Sequence, residues 1–399
     1  MADEGRSAAD RGSDVDFCSL AMFILDEIEF GDSRPAVKNV IGGAASFAAV
    51  GARLVAGDEH AQAVSWIVDT GSDFPHEALD VINSWGTSCV IREDRKRLTT
   101  RAWNGYGVNE KRDFKYLTPK LRMEASSLSE AQVLSRTFHM VCSASRCISL
   151  VEAILERREE LRRRNKAPSA AHAAQRPIFV WEPNPDLCTL EEQEQFLVAS
   201  QYVDVVSPNE LELGTLFGRS GWSEDNADDR ELVRRILDSG IGPQGEGFLV
   251  IRSGKQGSYS YSRTHQIWLP AYHQPGENVA AATSPVVDPT GAGNSFLGAL
   301  AQGLVSTGRA PDRVVDSVLS GSTTWNRVVT SWGRQRHVIT ALICATVAAG
   351  FVVEQIGVPR ISWSKEGKER WNETEFTERV RLYTQRLYRT VEESPSDIC

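Results

Sequence analysis

Short apolar runs alternate with longer stretches of helical period along most of the chain. Residues 20–25, 64–68, 138–142, 178–181, 203–206 and 248–252 read as buried strands. Residues 43–55, 76–84, 129–136, 148–164 and 190–200 read as helices, with Ser129 as an N-cap. Strands alternating with helices imply a parallel sheet covered on both faces, with ligands at the carboxyl ends of the strands. The expected class is α/β.

Two segments depart from that alternation. Residues 89–116 are polar, aromatic and rich in Arg and Asn, as in a flap. Residues 322–345 interrupt a helical approach to residues 347–355 with an irregular Trp, Arg and Thr mixture. That segment reads as a surface insertion or as a translated intron, and the second is favoured because insertions ordinarily enter loops. Residues 338–353 carry no charge over sixteen positions, fewer than the roughly 18 apolar residues of a membrane span. With Thr340, Thr346 and Gly350 inside it, the run reads as a buried helix. The basic cluster at 157–164 includes Glu159 and Glu160 at helical spacing and reads as a solvated face. The expected organisation is a disordered tail over 1–16, one domain over 17–362 and a helical tail over 363–399.

Composition narrows the function classes. The 399 residues include 44 Lys and Arg against 53 Asp and Glu, a net charge of −9, which argues against a nucleic-acid partner. Hydrophobic residues make up 41% and charged residues 24%, so a sizeable core is expected and a disordered or collagen-like chain is excluded. The seven cysteines are odd in number, scattered and without paired zinc spacing, as reduced thiols inside a cell would be. The first sixteen residues lack an apolar core, so no secretory signal is expected. A cytoplasmic protein without membrane contact is the expectation.

The most informative stretch is 286–300, which passes from an apolar run through Asp288, Pro289 and Thr290 into Gly291-Ala292-Gly293-Asn294 and then an apolar helix. Gly291 and Gly293 let backbone N–H groups approach a ligand, and a helix start adds partial positive charge, so phosphate is the natural guest. A glycine turn that merely caps a helix is the alternative. No Gly-x-x-x-x-Gly-Lys-Ser/Thr loop is present, and Phe296 stands where a dinucleotide fingerprint needs its third glycine.

This stretch resembles the signature of the ribokinase-like pfkB family of carbohydrate and nucleoside kinases, usually Asp-Thr-x-Gly-Ala-Gly-Asp. Gly42-Gly43 resembles the family's substrate motif, with Asp26 in the place of a sugar-binding aspartate. Asn209-Glu210-Leu211-Glu212 resembles its Asn-x-x-Glu element, and 251–257 resembles its strand and glycine turn beside the nucleotide. The resemblance covers residues 20–359. Gly71 to Pro75, Trp181-Glu182-Pro183, Ser207 to Glu210 and Phe351 to Gln355 look most like a fungal subgroup, the killer-maintenance proteins.

The resemblance implies a three-layer α/β/α sandwich with a mainly parallel sheet and a small β lid from about 27–40 and 89–116. It implies ATP and Mg²⁺ as cofactors and transfer of phosphoryl to a hydroxymethyl group of a small molecule. Gly291, Ala292 and Gly293 would stabilise the transferring group. Asp288, Thr290, Gly254 and Gly257 would hold nucleotide, with Asn209 and Glu212 supporting the metal. Asp26, Gly42, Gly43, Phe47 and Asp73 would line the substrate. The partners implied are a small-molecule substrate and a nucleotide, with a homodimer formed through the lid.

Two positions break the pattern. The final aspartate of the signature, which accepts the acceptor hydroxyl's proton, is replaced here by Asn294. An amide can orient that hydroxyl but cannot take its proton, so a contribution of roughly 10²- to 10⁴-fold is missing. Positioning and charge stabilisation survive such a loss. Phe47 stands where the family's Gly-Gly-x-x-x-Asn places a sugar-binding asparagine. A ring offers stacking or an apolar wall, or simply packs in its helix. Two functions remain open: a slow kinase in which Asn294 orients the acceptor, and a pseudokinase that binds nucleotide or acts as a scaffold.

Overall fold

The computed structural model describes residues 14–30, 35–106, 112–164, 175–274, 285–320 and 336–393. In chain order the strands begin with β1 (Phe17–Ser19), β2 (Ile24–Phe30), β3 (Val37–Gly42), β4 (Val64–Thr70), β5 (Ser88–Glu93), β6 (Arg101–Tyr106) and β7 (Arg112–Tyr116). They continue with β8 (Thr137–Cys142), β9 (Ile178–Pro183), β10 (Val205–Val206), β11 (Phe248–Arg252), β12 (Ser258–Tyr261), β13 (Gln266–Leu269), β14 (Ile361–Trp363) and β15 (Glu369–Trp371). The helices are α1 (Gly43–Ala56), α2 (His76–Ser84), α3 (Glu130–Val133), α4 (Ala144–Arg163), α5 (Gln193–Ser200) and α6 (Glu210–Leu216). After them come α7 (Ala227–Ser239), α8 (Ala292–Gly303), α9 (Ala310–Leu319), α10 (Arg336–Val352) and α11 (Phe376–Glu393).

Nine strands form one sheet in the order β13-β12-β11-β10-β9-β8-β1-β4-β5, parallel from β11 to β5 and closed at the other edge by the antiparallel hairpin β12–β13. Side chains alternate between faces with period two, and both faces are buried, which is why the strands read as unbroken apolar runs. Val180 and Val250 enter one core with α1, α8, α9, α10 and α11, whereas Phe179, Trp181, Leu249 and Ile251 enter the other with α4, α5, α6 and α7. The three-layer α/β/α arrangement is as expected.

The run at 20–25 is not one strand. β1 ends at Ser19 between β4 and β8, Leu20 N–H donates to the His139 carbonyl at 2.8 Å, and β2 begins only at Ile24 in a separate sheet. Both halves are buried, so hydrophobicity alone could not reveal the break. That second sheet, β3-β2-β6-β7, is the lid. Residues 88–93 do not join it. They pair in parallel with β4 at the edge of the main sheet, and their polar character is that of an edge strand with one side in solvent.

Further boundaries differ from expectation. α3 is shorter than 129–136, although Ser129 caps it with Gln132 in a reciprocal capping box. In the basic cluster, Arg162 and Arg163 pair with Glu159 on the surface, but Arg158 is buried and donates to the Val133 and Ser135 carbonyls. Asp16 belongs to the domain and not to a tail: it is buried and pairs with Arg136 and Arg309. At the other end, a boundary at 362 would cut the β14–β15 hairpin, and Val380, Tyr383 and Leu387 of α11 lie in the core.

The expected insertion at 322–345 is also revised. Residues 321–335 lie outside the described residues, but 336–345 open α10, and Val338, Ile339, Leu342 and Ile343 are buried. The uncharged run is thus a buried helix, as expected. Among the described residues no helix is long and apolar enough to cross a membrane.

Two helices that carry the expected site touch backbone to backbone. A Cβ on Gly298 of α8 would lie 1.9 Å from the Ala48 carbonyl oxygen of α1, and one on Gly51 would lie 1.9 Å from that of Ser295. Only glycine permits this approach.

Candidate active site

The carboxyl ends of β9 and β11 meet the start of α8. Gly291 is the N-cap of α8, in the left-handed region at φ 81°, where a side chain would be strained. The chain enters this turn through Asp288, which is buried and whose carboxylate accepts from Thr290 N–H at 2.9 Å. Val287 and Asp288 N–H groups donate to the Val353 carbonyl just beyond α10. Of the first-turn N–H groups of α8, that of Ala292 donates to the Pro289 carbonyl at 3.2 Å, and those of Gly293 and Asn294 have no acceptor within the helix and present a partial positive charge.

Asn294 lies in that first turn, and its amide nitrogen donates to Glu182 Oε2 at 2.6 Å. Glu182 Oε1 lies 3.0 Å from Arg252 Nη2, and Glu212 Oε2 lies 3.3 Å from the same nitrogen. Arg252 Nη2 also donates to the Ser207 carbonyl at 3.0 Å. Its other terminal nitrogen, Nη1, faces Gly293, where a Cβ would approach it to 2.2 Å. Burial works against the charge on Arg252, but Glu182 and Glu212 more than offset it and raise its pKa. Burial pushes the Glu212 carboxyl up to about 7, with Arg252 opposing and Glu182 adding to the rise.

Asn209 and Glu212 form a reciprocal capping box at the start of α6. Asn209 Oδ1 accepts from Glu212 N–H at 2.8 Å, Asn209 N–H donates to Glu212 Oε2 at 2.7 Å, and Asn209 Nδ2 donates to Glu212 Oε1 at 2.7 Å. Both Glu212 oxygens are therefore engaged. Magnesium needs oxygen ligands in near-octahedral geometry. A guanidinium shares these carboxylates, and repulsion between unit charges about 4 Å apart is about 4 kcal/mol at an effective dielectric of 20. Asn209 and Glu212 do not fit a protein-held Mg²⁺, and no cluster of three or more His, Cys, Asp or Glu suited to a metal exists among the described residues.

On the side expected to meet substrate, the Phe47 ring presses on the signature loop: a Cβ on Gly291 would lie 2.3 Å from it. Phe47 is thus a buried wall of this end of the site. Asp26 in β2 is buried with Oδ2 only 1.9 Å from where a Cβ on Gly42 would lie, so the Gly42-Gly43 turn and the acid are adjacent. Tyr116 of β7 has its pKa raised by burial, then by Asp186 and Asp26, which brings a lid residue into the same field.

Asp73, Gly254 and Gly257 have structural roles of their own. Asp73 accepts from Thr99 N–H at 2.7 Å and from Arg101 Nε at 2.6 Å, so both its oxygens anchor the lid. Burial tends to raise its pKa, but these hydrogen bonds hold it below the usual value. Gly254 and Gly257 shape the turn between β11 and β12, where Gly257 packs against the Leu269 carbonyl. Glu182 and Arg252 were not expected as site residues. Their available signal was a charge at or beside the end of an otherwise apolar strand.

A pfkB family carbohydrate kinase model matches residues 31–362. The chain belongs to the pfkB family. Protein MAK32 of Saccharomyces cerevisiae is 32% identical over 378 residues, covering 91% of this chain and 90% of MAK32. An uncharacterized protein of Schizosaccharomyces pombe is 32% identical over 380 residues, with 93% of each chain covered. The pfkB assignment extends to the fold. Ribokinase from Giardia lamblia superposes with a TM-score of 0.58 at 16% identity, covering 95% of this chain and 99% of that one. Adenosine kinase from Sinorhizobium meliloti gives 0.55 at 16% identity, with 86% and 95% covered. An E. coli protein assigned as a ribokinase II, in complex with ATP and Mg²⁺, gives 0.56 at 17% identity, with 93% and 99% covered. The pfkB signature, expected from Gly291 to Asn294, thus sits in a ribokinase-like fold.

Proposed function

We propose that the chain binds ATP at the start of α8 and slowly transfers its terminal phosphoryl group to a hydroxymethyl group of a sugar, nucleoside or related small molecule. The observation that carries this reading is the left-handed Gly291 at the N-cap, which opens the first turn of α8 to an anion beside Gly293 and Arg252. Gly291, Ala292 and Gly293 stabilise charge on the transferring group, and Asn294 orients the acceptor hydroxyl. Asp26 and Gly42-Gly43 border the acceptor, with Phe47 as an apolar wall. Magnesium enters with the triphosphate, since Asn209 and Glu212 are committed to each other and to Arg252. A cytoplasmic protein that dimerises through the lid completes the reading.

A second reading, a nucleotide-binding pseudokinase, is favoured by the Asn294 amide already donating to Glu182. Calorimetry with ATP, followed by an ADP-release screen over sugars, nucleosides and vitamins, separates the two. Binding with turnover of an acceptor supports the kinase. Binding with none supports the pseudokinase, and absence of binding removes both.

A further inference from the structure

Arg252 closes the acidic side of the site as a fixed cation. Its Nη2 is shared by Glu182, Glu212 and the Ser207 carbonyl. Its Nε is buried without an acceptor among the described residues, enclosed where a ligand does not reach. Nη1 alone faces the signature loop, at the Cα of Gly293. A guanidinium keeps its charge throughout the physiological range and offers donors in a fixed fork that suits phosphate oxygens. Two carboxylates beside a phosphate site would repel the ligand unless a cation neutralised them, and here the chain itself supplies that cation.

We propose that Arg252 is a resident counter-cation for nucleotide phosphates, with Nη1 donating to a phosphate oxygen at the Gly293 turn, so that nucleotide binding does not require a divalent ion. The inference rests on the nucleotide-binding reading above and deepens it. The same two carboxylates that would attract Mg²⁺ are already paired, and a metal approaching them meets the guanidinium at contact distance. Gly293 is required because any side chain there would displace Nη1.

The test is calorimetric titration of the full chain with ATP, once in magnesium chloride and once in excess EDTA. Affinities within about threefold of one another are expected. Arg252→Lys replaces the fork by a point charge and is expected to weaken binding in EDTA by about tenfold. Glu212→Gln removes one competitor for the guanidinium and is expected to tighten binding in EDTA, which keeps the test decisive if Arg252→Lys does not fold. Binding in magnesium but not in EDTA overturns the inference while leaving the nucleotide site intact, as does unchanged binding in Arg252→Lys or unchanged or weaker binding in Glu212→Gln. No binding in either buffer removes the nucleotide site itself.

Discussion

Asn294 and Glu182 lie 112 positions apart in the chain and 2.6 Å apart in space, with the amide of one donating to the carboxylate of the other. Restoring a carboxylate at 294 therefore has a consequence that the signature alone does not reveal. An aspartate introduced there would meet Glu182 as a second like charge in hydrogen-bond contact, and one of the two would hold a proton. Asn294→Asp alone is expected to give only a small gain in phosphoryl transfer. Combined with Glu182→Gln, whose amide can donate to the new aspartate, it should raise turnover at least about tenfold. Equal rates for the double variant and the parent, with an acceptor that turns over, would exclude a base role at 294.

Gly293→Ala should be costly, since this position in the first turn of α8 is partly buried. The added methyl meets Arg252 Nη1, and displacing that group strains a well-packed site by about 1–3 kcal/mol. A lower denaturant midpoint together with weaker ATP binding is expected, and Gly293→Val should be worse on both counts. Equal midpoints would show that Arg252 moves aside freely.

How much of this was legible in the sequence differs by element. The parallel strands were readable because burial on both faces leaves nothing polar to interrupt them, as in β9 and β11. The signature loop was readable because Gly291 and Gly293 are demanded by backbone and close contact. The break between Ser19 and Ile24 was not, since Leu20, Ala21 and Phe23 are as buried as the strands they join. Nor was the Glu182, Arg252 and Glu212 cluster, because a charge at a strand end looks the same whether it meets water or a partner from a distant segment. Asn209 and Glu212 stood out through the resemblance to the family's Asn-x-x-Glu element, but that spacing also builds a capping box, and that is the arrangement they adopt.

The lid's attachment can be tested through Asp73, which holds both Thr99 and Arg101. Asp73→Ala should accelerate amide hydrogen exchange in β6 while leaving β5, a member of the main sheet, unchanged. In the parent, β6 is expected to exchange faster than Ile178 to Trp181 in β9. Equal acceleration in β5 and β6 would mean that the lid does not open as a separate unit.

Stability should fall in mild acid through His139. It is fully buried, with Nδ1 3.2 Å from Ser19 Oγ, and burial, then Arg252, pushes its pKa down to about 3. Between the unfolded value of about 6.5 and that folded value, the unfolded chain binds a proton that the native chain does not. The neutral ring's contribution is complete above pH 6.5 and is lost as pH falls toward 3. Chemical denaturation at neutral pH and near pH 5 should show a smaller drop for His139→Gln than for the parent. Glu212 acts in the opposite sense, since its raised pKa favours the native state as pH falls from 7 toward its unfolded value. The comparison of parent and variant isolates the histidine.

Deleting 322–345 should yield insoluble protein, because it removes Val338, Ile339, Leu342 and Ile343 from the core. Large losses of this kind cost about 2–5 kcal/mol for each side chain truncated, against a total of about 5–15 kcal/mol for a typical domain. A soluble deletion variant would show that α10 begins later. The translated-intron reading is tested on the message, where sequencing across Gly321 and Thr346 removes it if all twenty-four codons are present in the major form.

The backbone contact between α1 and α8 bears on how the proposed acceptor preference could change. With no room for even a methyl group at Gly51 or Gly298, the two helices sit at their closest approach, so on the proposed kinase reading the spacing between the ends that would meet acceptor and phosphate is at its minimum, and any side chain at either glycine would widen it. On the same reading, a new specificity would come from side chains such as Asp26, Phe47 and Tyr116, or from the lid's reach. Acceptor preference can drift through such changes while the place where a phosphate would rest stays put.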